Sequence, residues 1–189
     1  MNLGTRSRYG VRVPDVEVVP YDDSWPARAD AAIAGIRSVL AGLPLQIEHI
    51  GSTAVPGLAA KPIIDLMAAV PALDDVAVRA GDLARIGFTA EDNGMPGRLF
   101  FVRDDGGRRS HHLHVVTAAS WPARSQRLLR DHLRDHPEDV RRYAELKRRL
   151  AGGGLGADAY TRAKTDLIQE LTDRARAARG LPPVPVWES

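Results

Sequence analysis

Runs and alternations of apolar residues mark the predicted strands of this chain. Residues 45–50 alternate as a strand does, and residues 63–70 are so continuously apolar that they predict a central strand buried on both faces. Residues 98–103 and 111–117 predict the two arms of a hairpin, because the Asp-Asp-Gly-Gly sequence at 104–107 is a strong turn signal. Shorter apolar runs predict further strands at 16–20 and 88–91.

Apolar residues recur at helical spacing between and after these strands. The first predicted helix begins at Ser24, a candidate N-cap, and ends near Gly42. The second follows the strand at 63–70 and closes at Gly87, a candidate left-handed C′ residue. Three later helices are predicted at residues 125–134, 137–150 and 159–179.

This order of elements predicts an α/β (α+β) fold. A small mixed β-sheet is flanked by helices and followed by a C-terminal helical extension. The length of 189 residues favours one domain with a substantial core. We predict a mobile N-terminal tail at 1–14, a single domain at 15–180 and an extended Pro-rich tail at 181–189.

Composition and charge narrow the class of protein. The chain has no cysteine, which excludes disulfides, thiolate metal sites and thiol nucleophiles. It also has no apolar run long enough to span a bilayer and no signal-peptide pattern, so we expect a cytoplasmic protein that does not enter membranes. The 26 basic and 24 acidic residues give a net charge of +2, and no nucleic-acid-binding motif is present. These features argue against nucleic acid as a partner, although a tRNA substrate stays open.

The chemistry concentrates in the stretch from residue 47 to residue 70. Gly51-Ser52 ends one predicted strand, where a hydroxyl and backbone N–H groups could meet an anion. Asp65 is the only acidic residue in the apolar strand that follows. A buried carboxylate is costly unless it is paired or holds a metal. The stretch therefore predicts part of a phosphate and metal site, and the alternative is a structural acid paired with Lys61 or an arginine.

Several motifs in this chain resemble those of the GrpB family, in the same order along the sequence. The resemblance covers roughly residues 16 to 171 and implies the nucleotidyltransferase superfold, in which a Gly-Ser turn is followed one strand later by a carboxylate pair. The motifs are V-V-P-Y-D-D-S-W-P at 18–26, I-E-H-I-G-S-T-A-V-P-G-L-A-A-K-P-I-I-D at 47–65, H-L-H-V at 112–115, L-L-R-D-H-L-R-D-H-P at 128–137, Y-A-E-L-K at 143–147 and Y-T-R-A-K at 160–164.

The resemblance gives Asp65 the role of the first carboxylate of this pair. The position of the second carboxylate falls on Met67, which is not a useful ligand for Mg²⁺. His112 and His114 alternate onto one face of a strand expected near Asp65. The three side chains predict a site for a divalent metal ion: Mg²⁺, Mn²⁺ or Zn²⁺. Two histidines and one carboxylate suit a transition metal better than Mg²⁺. Each histidine also has an ordinary structural interpretation.

The remaining candidates concern catalysis and phosphate binding. Asp65 and His49 are the candidate catalytic residues, and His49 could instead be a metal ligand or a phosphate contact. The candidates for binding a nucleotide or phosphate are Gly51, Ser52, Thr53, Lys61, Arg98 and Lys164.

Three functions are compatible with these residues. The first is a nucleotidyltransferase-like enzyme that binds a nucleotide or another small phosphorylated ligand with a divalent metal and transfers a nucleotidyl group to a small acceptor. The second is a binding or accessory module that lost catalysis with the second carboxylate. The third is a metal enzyme of another kind, built on the Asp/His/His set.

Overall fold

The computed structural model describes residues 17–153 and 155–186, and it contains one five-stranded mixed sheet. The strand order is β1-β2-β5-β4-β3, with β2 and β5 parallel and the other neighbours antiparallel. The strands are β1 (Gln46–Ile50), β2 (Ile64–Val70), β3 (Thr89–Ala90), β4 (Arg98–Asp105) and β5 (Arg108–Thr117).

The central strand β2 is buried along almost its whole length, as its continuous apolar sequence predicts. The predicted hairpin is also present, although both arms run closer to the turn, where Gly106 and Gly107 both adopt positive φ. The strand predicted at 16–20 is wrong for the described part of that segment. Val19 makes only an isolated bridge to Ala60, with N–O distances of 2.9 and 3.0 Å.

Seven α-helices surround the sheet in the described part of the chain. They are α1 (Trp25–Val39), α2 (Asp74–Ala77), α3 (Ala80–Arg85), α4 (Ser125–Asp135), α5 (Pro137–Ala151), α6 (Ala157–Arg162) and α7 (Thr165–Ala177). None of the helices in residues 17–153 and 155–186 is both long and apolar enough to cross a membrane.

Three details of the helices differ from the predictions. The Ser24 side chain makes no capping hydrogen bond. The backbone N–H of Ser24 instead donates to Asp22 Oδ1 at 2.8 Å. The single helix predicted before Gly87 is divided into α2 and α3 at Arg79, whose backbone leaves the helical region at φ of −104° and ψ of 14°. The Arg79 side chain donates to the carbonyls of Val39 and Ala41, at and just after the end of α1. The helix predicted at 159–179 is divided into α6 and α7 around Lys164.

The two faces of the sheet have different environments. Alternate β2 residues such as Leu66 pack against α1 in the main apolar core. Asp65 and Met67 lie on the other face, where α4 is tied to β1 by ion pairs from Arg127 and Arg130 to Glu48, at 2.9 and 2.7 Å. This second face, which the main core does not cover, carries the candidate site residues of β2 and β5.

Of the predicted tails, the N-terminal one lies outside the described residues, as do residues 187–189. Residues 181–186 lie against α7, since Gln169 Nε2 donates to the Val184 carbonyl and Gln169 Oε1 accepts from Val186 N, at 2.9 and 3.0 Å.

Truncation of one buried side chain in the central strand β2 tests this description of the core. Leu66→Ala should lower the free energy of unfolding by about 3 kcal/mol, since it leaves a cavity at a fully buried position. Val78→Ala removes two methyl groups from a side chain that is 82% exposed, and should change it by less than about 0.5 kcal/mol. Urea unfolding of both variants measures the difference, and equal effects would contradict the assigned core.

Candidate functional site

A cleft of about 550 Å³ lies between the second face of the sheet and the C-terminal helices. Its sheet side carries Asp65, His112 and His114, and its helical side carries Lys147 and Tyr160, among other residues. Ser52, Lys61 and Lys164 also line it. The cleft therefore brings candidate residues from distant parts of the sequence to one place.

Asp65 and His112 form a hydrogen-bonded pair within the cleft. They are opposite each other in the parallel register of β2 and β5, and His112 Nδ1 lies 2.8 Å from Asp65 Oδ1. Burial raises the pKa of Asp65, but the hydrogen bond and charge of His112 outweigh it, and the net pKa is below its usual value. An ionised carboxylate only accepts hydrogen bonds, so His112 Nδ1 carries the hydrogen. The Phe100 ring packs against this imidazole at 5.2 Å between ring centres.

His114 lies beside this pair, but it has a different hydrogen-bonding environment. It is opposite the buried Met67 in the register, and its Nδ1 lies 3.5 Å from Arg98 Nη1. Burial lowers the pKa of His114 to about 4, although the charge of Asp65 acts to raise it, so the ring is neutral at pH 7. The His112 and His114 ring centres are 6.4 Å apart.

These side chains do not form a preassembled metal site. Among the described residues, no three carboxylate or imidazole groups are arranged to bind one ion. The Nδ1 of His112 is already bonded to Asp65. Glu48 of β1 is opposite Met67 in the register, on the side of β2 away from β5, and it is ion-paired with arginines of α4. The divalent ion and its ligand set of Asp65, His112 and His114 stay predictions.

The Gly51-Ser52 turn fits closely against Asp65. Gly51 has φ of 71°, and a Cβ there would lie 2.9 Å from the Asp65 Cβ and closer still to Oδ2. Only glycine fits, because both the backbone conformation and the space exclude a side chain. Ser52 then enters the cleft wall, where its side chain is hydrogen-bonded to Tyr143.

His49 and Thr53 lie behind this turn and not on the cleft wall. His49 Nε2 donates to Thr53 Oγ1 at 2.9 Å, and the Thr53 hydroxyl donates to the Ile63 carbonyl at 3.2 Å. Burial lowers the pKa of His49 to about 4, against the raising effect of Asp65. The two side chains thus hold the turn against the start of β2. Roles for them in catalysis or phosphate binding stay predictions.

Three lysines converge on the same cleft. The ammonium groups of Lys61 and Lys164 lie 4.8 and 4.3 Å from the centre of the Tyr160 ring. Burial and then the charge of Lys61 lower the pKa of Lys164 to about 8. Lys147 is the third, 2% exposed, with its amine 4.3 Å from the Tyr143 ring centre. Burial, and then the charge of Lys164, lowers its pKa well below the usual value.

Sequence reasoning missed Lys147. It lies within the Y-A-E-L-K motif, four residues after Tyr143, in a helix rich in exposed arginines. The available signal was its position, because residues 140, 143, 144 and 147 fall on the inward stripe of α5. A lysine on the inward stripe of a helix is rarely exposed to solvent.

The last candidate, Arg98, lies at the edge of the site. Arg98 reaches His114 but lines a neighbouring cavity with loop residues of segment 91–95. Gly51 and Ser52 also border a smaller, mainly apolar cavity of about 160 Å³ between α4, α5 and α7.

The fold is of the nucleotidyltransferase type. Terminal uridylyl transferase 4 from Trypanosoma brucei with bound CTP aligns over 84% of this chain and 57% of its own length, with a TM-score of 0.50 and 18% identity. At that identity the likeness concerns the fold alone. It confirms the predicted class, a mixed sheet flanked by helices.

The chain belongs to the GrpB family, because the family model described as "GrpB protein" matches residues 15–174. A crystal structure of the conserved protein GrpB from Enterococcus faecalis aligns over 87% of this chain and 99% of its own, with a TM-score of 0.80 and 28% identity. The UPF0157 protein PA4798 from Pseudomonas aeruginosa is 42% identical over 168 residues, which are 86% of this chain and 69% of that protein. The predicted family resemblance is confirmed.

Substitution of Gly51 tests the close fit to Asp65. Gly51→Ala combines the cost of positive φ with a steric conflict, whereas Gly42→Ala has φ of 88° and open space around the new methyl group. Gly51→Ala should therefore lower the free energy of unfolding by about 1–3 kcal/mol more than Gly42→Ala. Denaturant titration measures both, and matching values would contradict the fit.

The neutral state of His114 predicts a dependence of stability on pH. Its pKa is about 4 in the folded protein against 6.5 in the unfolded chain, so its contribution is complete above pH 6.5 and is lost as the pH falls towards 4. We expect the wild-type free energy of unfolding to decrease across that interval, and His114→Gln to decrease less steeply. Identical slopes for the two proteins would show that His114 is protonated as readily when folded.

Proposed function

We propose that this chain binds a nucleotide through its phosphates in the cleft and transfers a nucleotidyl group to a small acceptor. One observation carries the proposal: three lysine amines and the Ser52 hydroxyl lie in a single cleft with the Asp65–His112 pair. Lysine ammonium groups and hydroxyls bind phosphate oxygens. A nucleotidyltransferase-type fold and the uncommon carboxylate in β2 support the same assignment.

The proposed roles divide the cleft into two parts. Lys61 and Lys164, with Ser52, hold the outer phosphates of the nucleotide, and Asp65 lies at the reacting phosphate. In the transfer, the acceptor hydroxyl oxygen bonds to the α-phosphorus, the bond to the pyrophosphate oxygen breaks so that pyrophosphate leaves, and the hydroxyl proton passes to solvent water. The lysines stabilise the negative charge that accumulates on the departing pyrophosphate.

A divalent ion enters this proposal only as a prediction. Asp65 has no second carboxylate beside it, because Met67 is apolar and fully buried. The residues present therefore do not fit a two-metal centre. Binding of the phosphates by the lysines does not depend on such an ion.

Met67 favours a second candidate function, a module that binds the nucleotide without turnover. A fully buried methionine fills the position at which the superfold resemblance expects a second acid. Release of pyrophosphate separates the two functions. The assay supplies a panel of small hydroxyl acceptors and Mg²⁺, Mn²⁺ or Zn²⁺. A protein that binds nucleotides but releases no pyrophosphate over many hours is the binding module.

Calorimetric titration with the four ribonucleoside triphosphates, each with and without Mg²⁺, Mn²⁺ or Zn²⁺, tests the shared part of the proposal. Lys164→Met should weaken binding about tenfold or more, because it removes a partly buried ammonium group from the phosphate site. Arg162→Met removes a charge from the exposed side of the same segment and should leave the affinity unchanged. Asp65→Asn should retain binding and abolish pyrophosphate release in an active enzyme. Failure of every nucleotide to bind the wild-type protein would refute both functions.

A further inference from the structure

We propose that the cleft selects ligands that end in a doubly charged terminal phosphate, and that Lys147 takes up a proton from solvent when that phosphate enters. The inference rests on the proposed function and deepens it, since it names the part of the ligand that the buried end of the cleft recognises. A nucleoside di- or triphosphate has such a terminus, whereas a phosphodiester has none.

The position of Lys147 is the first observation. Its side chain is 2% exposed, it lines the cleft, and its Nζ has no hydrogen-bond partner among the residues that the structure describes. A buried amine that makes no hydrogen bond costs free energy. The Lys147 Nζ lies 4.3 Å from the centre of the Tyr143 ring, and contact with an aromatic face does not replace a hydrogen bond.

A second buried polar group lies on the same wall. The Tyr160 hydroxyl is also buried without a partner in the described part of the chain, and the residue is 1% exposed. Burial raises the pKa of Tyr160 to about 12, so its hydroxyl keeps its hydrogen. Two orphaned groups on one cleft wall indicate a ligand that supplies acceptor oxygens to both.

The charges around Lys147 explain why its proton depends on the ligand. Lys164 opposes the charged form of Lys147, and Asp65 favours it. The titratable groups that share the cleft with Lys147 are Asp65 on β2, His112 and His114 on β5, Tyr160 on α6, and Lys61 and Lys164 on the connecting segments; Tyr143, on α5 itself, packs against it. Without a ligand, burial and the charge of Lys164 both lower the pKa of Lys147 and so favour the neutral amine.

A doubly charged phosphate reverses this balance. With Lys147 neutral, Lys61, Lys164 and Asp65 together carry one net positive charge, and protonation of Lys147 makes this two. A terminal phosphate with two negative charges matches the protonated cleft, and its oxygens give the ammonium group the partners that it lacks. An internal phosphate carries one charge and offers no such reason for Lys147 to gain a proton.

Calorimetry with sodium tripolyphosphate, without divalent ions, tests the inference at pH 7.0 in two buffers of different ionisation enthalpy. Tripolyphosphate has two terminal phosphates, while cyclic trimetaphosphate has none. We expect the wild-type protein to take up about one proton more per bound tripolyphosphate than Lys147→Met, which has a side chain of similar length that cannot titrate. Lys164, with a pKa of about 8, is charged in both proteins at this pH.

The affinities provide a second measurement. Lys147→Met should bind tripolyphosphate about tenfold or more weakly than wild type, and both should bind trimetaphosphate equally. Arg148→Met, a matched loss of an exposed charge on α5, should behave as wild type. Without ligand, Lys147→Met should melt at a higher temperature than wild type, because it relieves a buried orphan amine; a misfolded variant would not.

The outcomes separate the inference from the proposed function. Tripolyphosphate binding with equal proton uptake and equal affinity in wild type and Lys147→Met would overturn the inference and leave the proposed function standing. A wild-type protein that binds neither tripolyphosphate nor any nucleoside triphosphate would overturn both.

Discussion

The close contact between the Gly51 backbone and the Asp65 carboxylate is the constraint on which the rest of the site depends. Asp65 interrupts the apolar central strand and is opposite His112 in the register, which gives its carboxylate a hydrogen-bond donor. The turn can pass this carboxylate only as glycine in the left-handed region. The strand register thus determines where Ser52 enters the cleft, and the hydrogen bonds of His49 and Thr53 hold that position.

The opposite wall of the cleft also buries polar groups at a cost in free energy, and these groups can donate hydrogen bonds. Lys147 and Tyr160 are polar residues on inward faces of α5 and α6, and each leaves a buried polar atom without a partner in the described residues. Apolar side chains at both positions would give a more stable helical layer. Unsatisfied groups of this kind are concentrated at functional sites, where a ligand supplies the missing partners. Burial of polar groups therefore costs free energy on both walls of the cleft, and the space between the walls can hold a ligand.

More of the fold than of the site could be predicted from the sequence. The continuous apolar run of β2 and the turn glycines of the hairpin report strong local preferences, so those elements are confirmed within a few residues. The break between α6 and α7 was missed, because both halves keep helical spacing. The alternation of period two correctly placed His112 and His114 on one face, but it could not show that His112 bonds to Asp65 or that His114 meets Arg98. Lys147 was missed because exposed arginines surround it in sequence, and only tertiary packing makes it a buried residue.

A crystal structure of the protein with a non-hydrolysable nucleoside triphosphate tests the central claim most directly. Phosphate density should lie in the cleft between Ser52, Lys61 and Lys164, with an oxygen of the terminal phosphate within about 3 Å of Lys147 Nζ. Density for the ligand in the apolar cavity beside α7, or at the surface with Lys147 still unpartnered, would contradict the assignment of the cleft as a phosphate site.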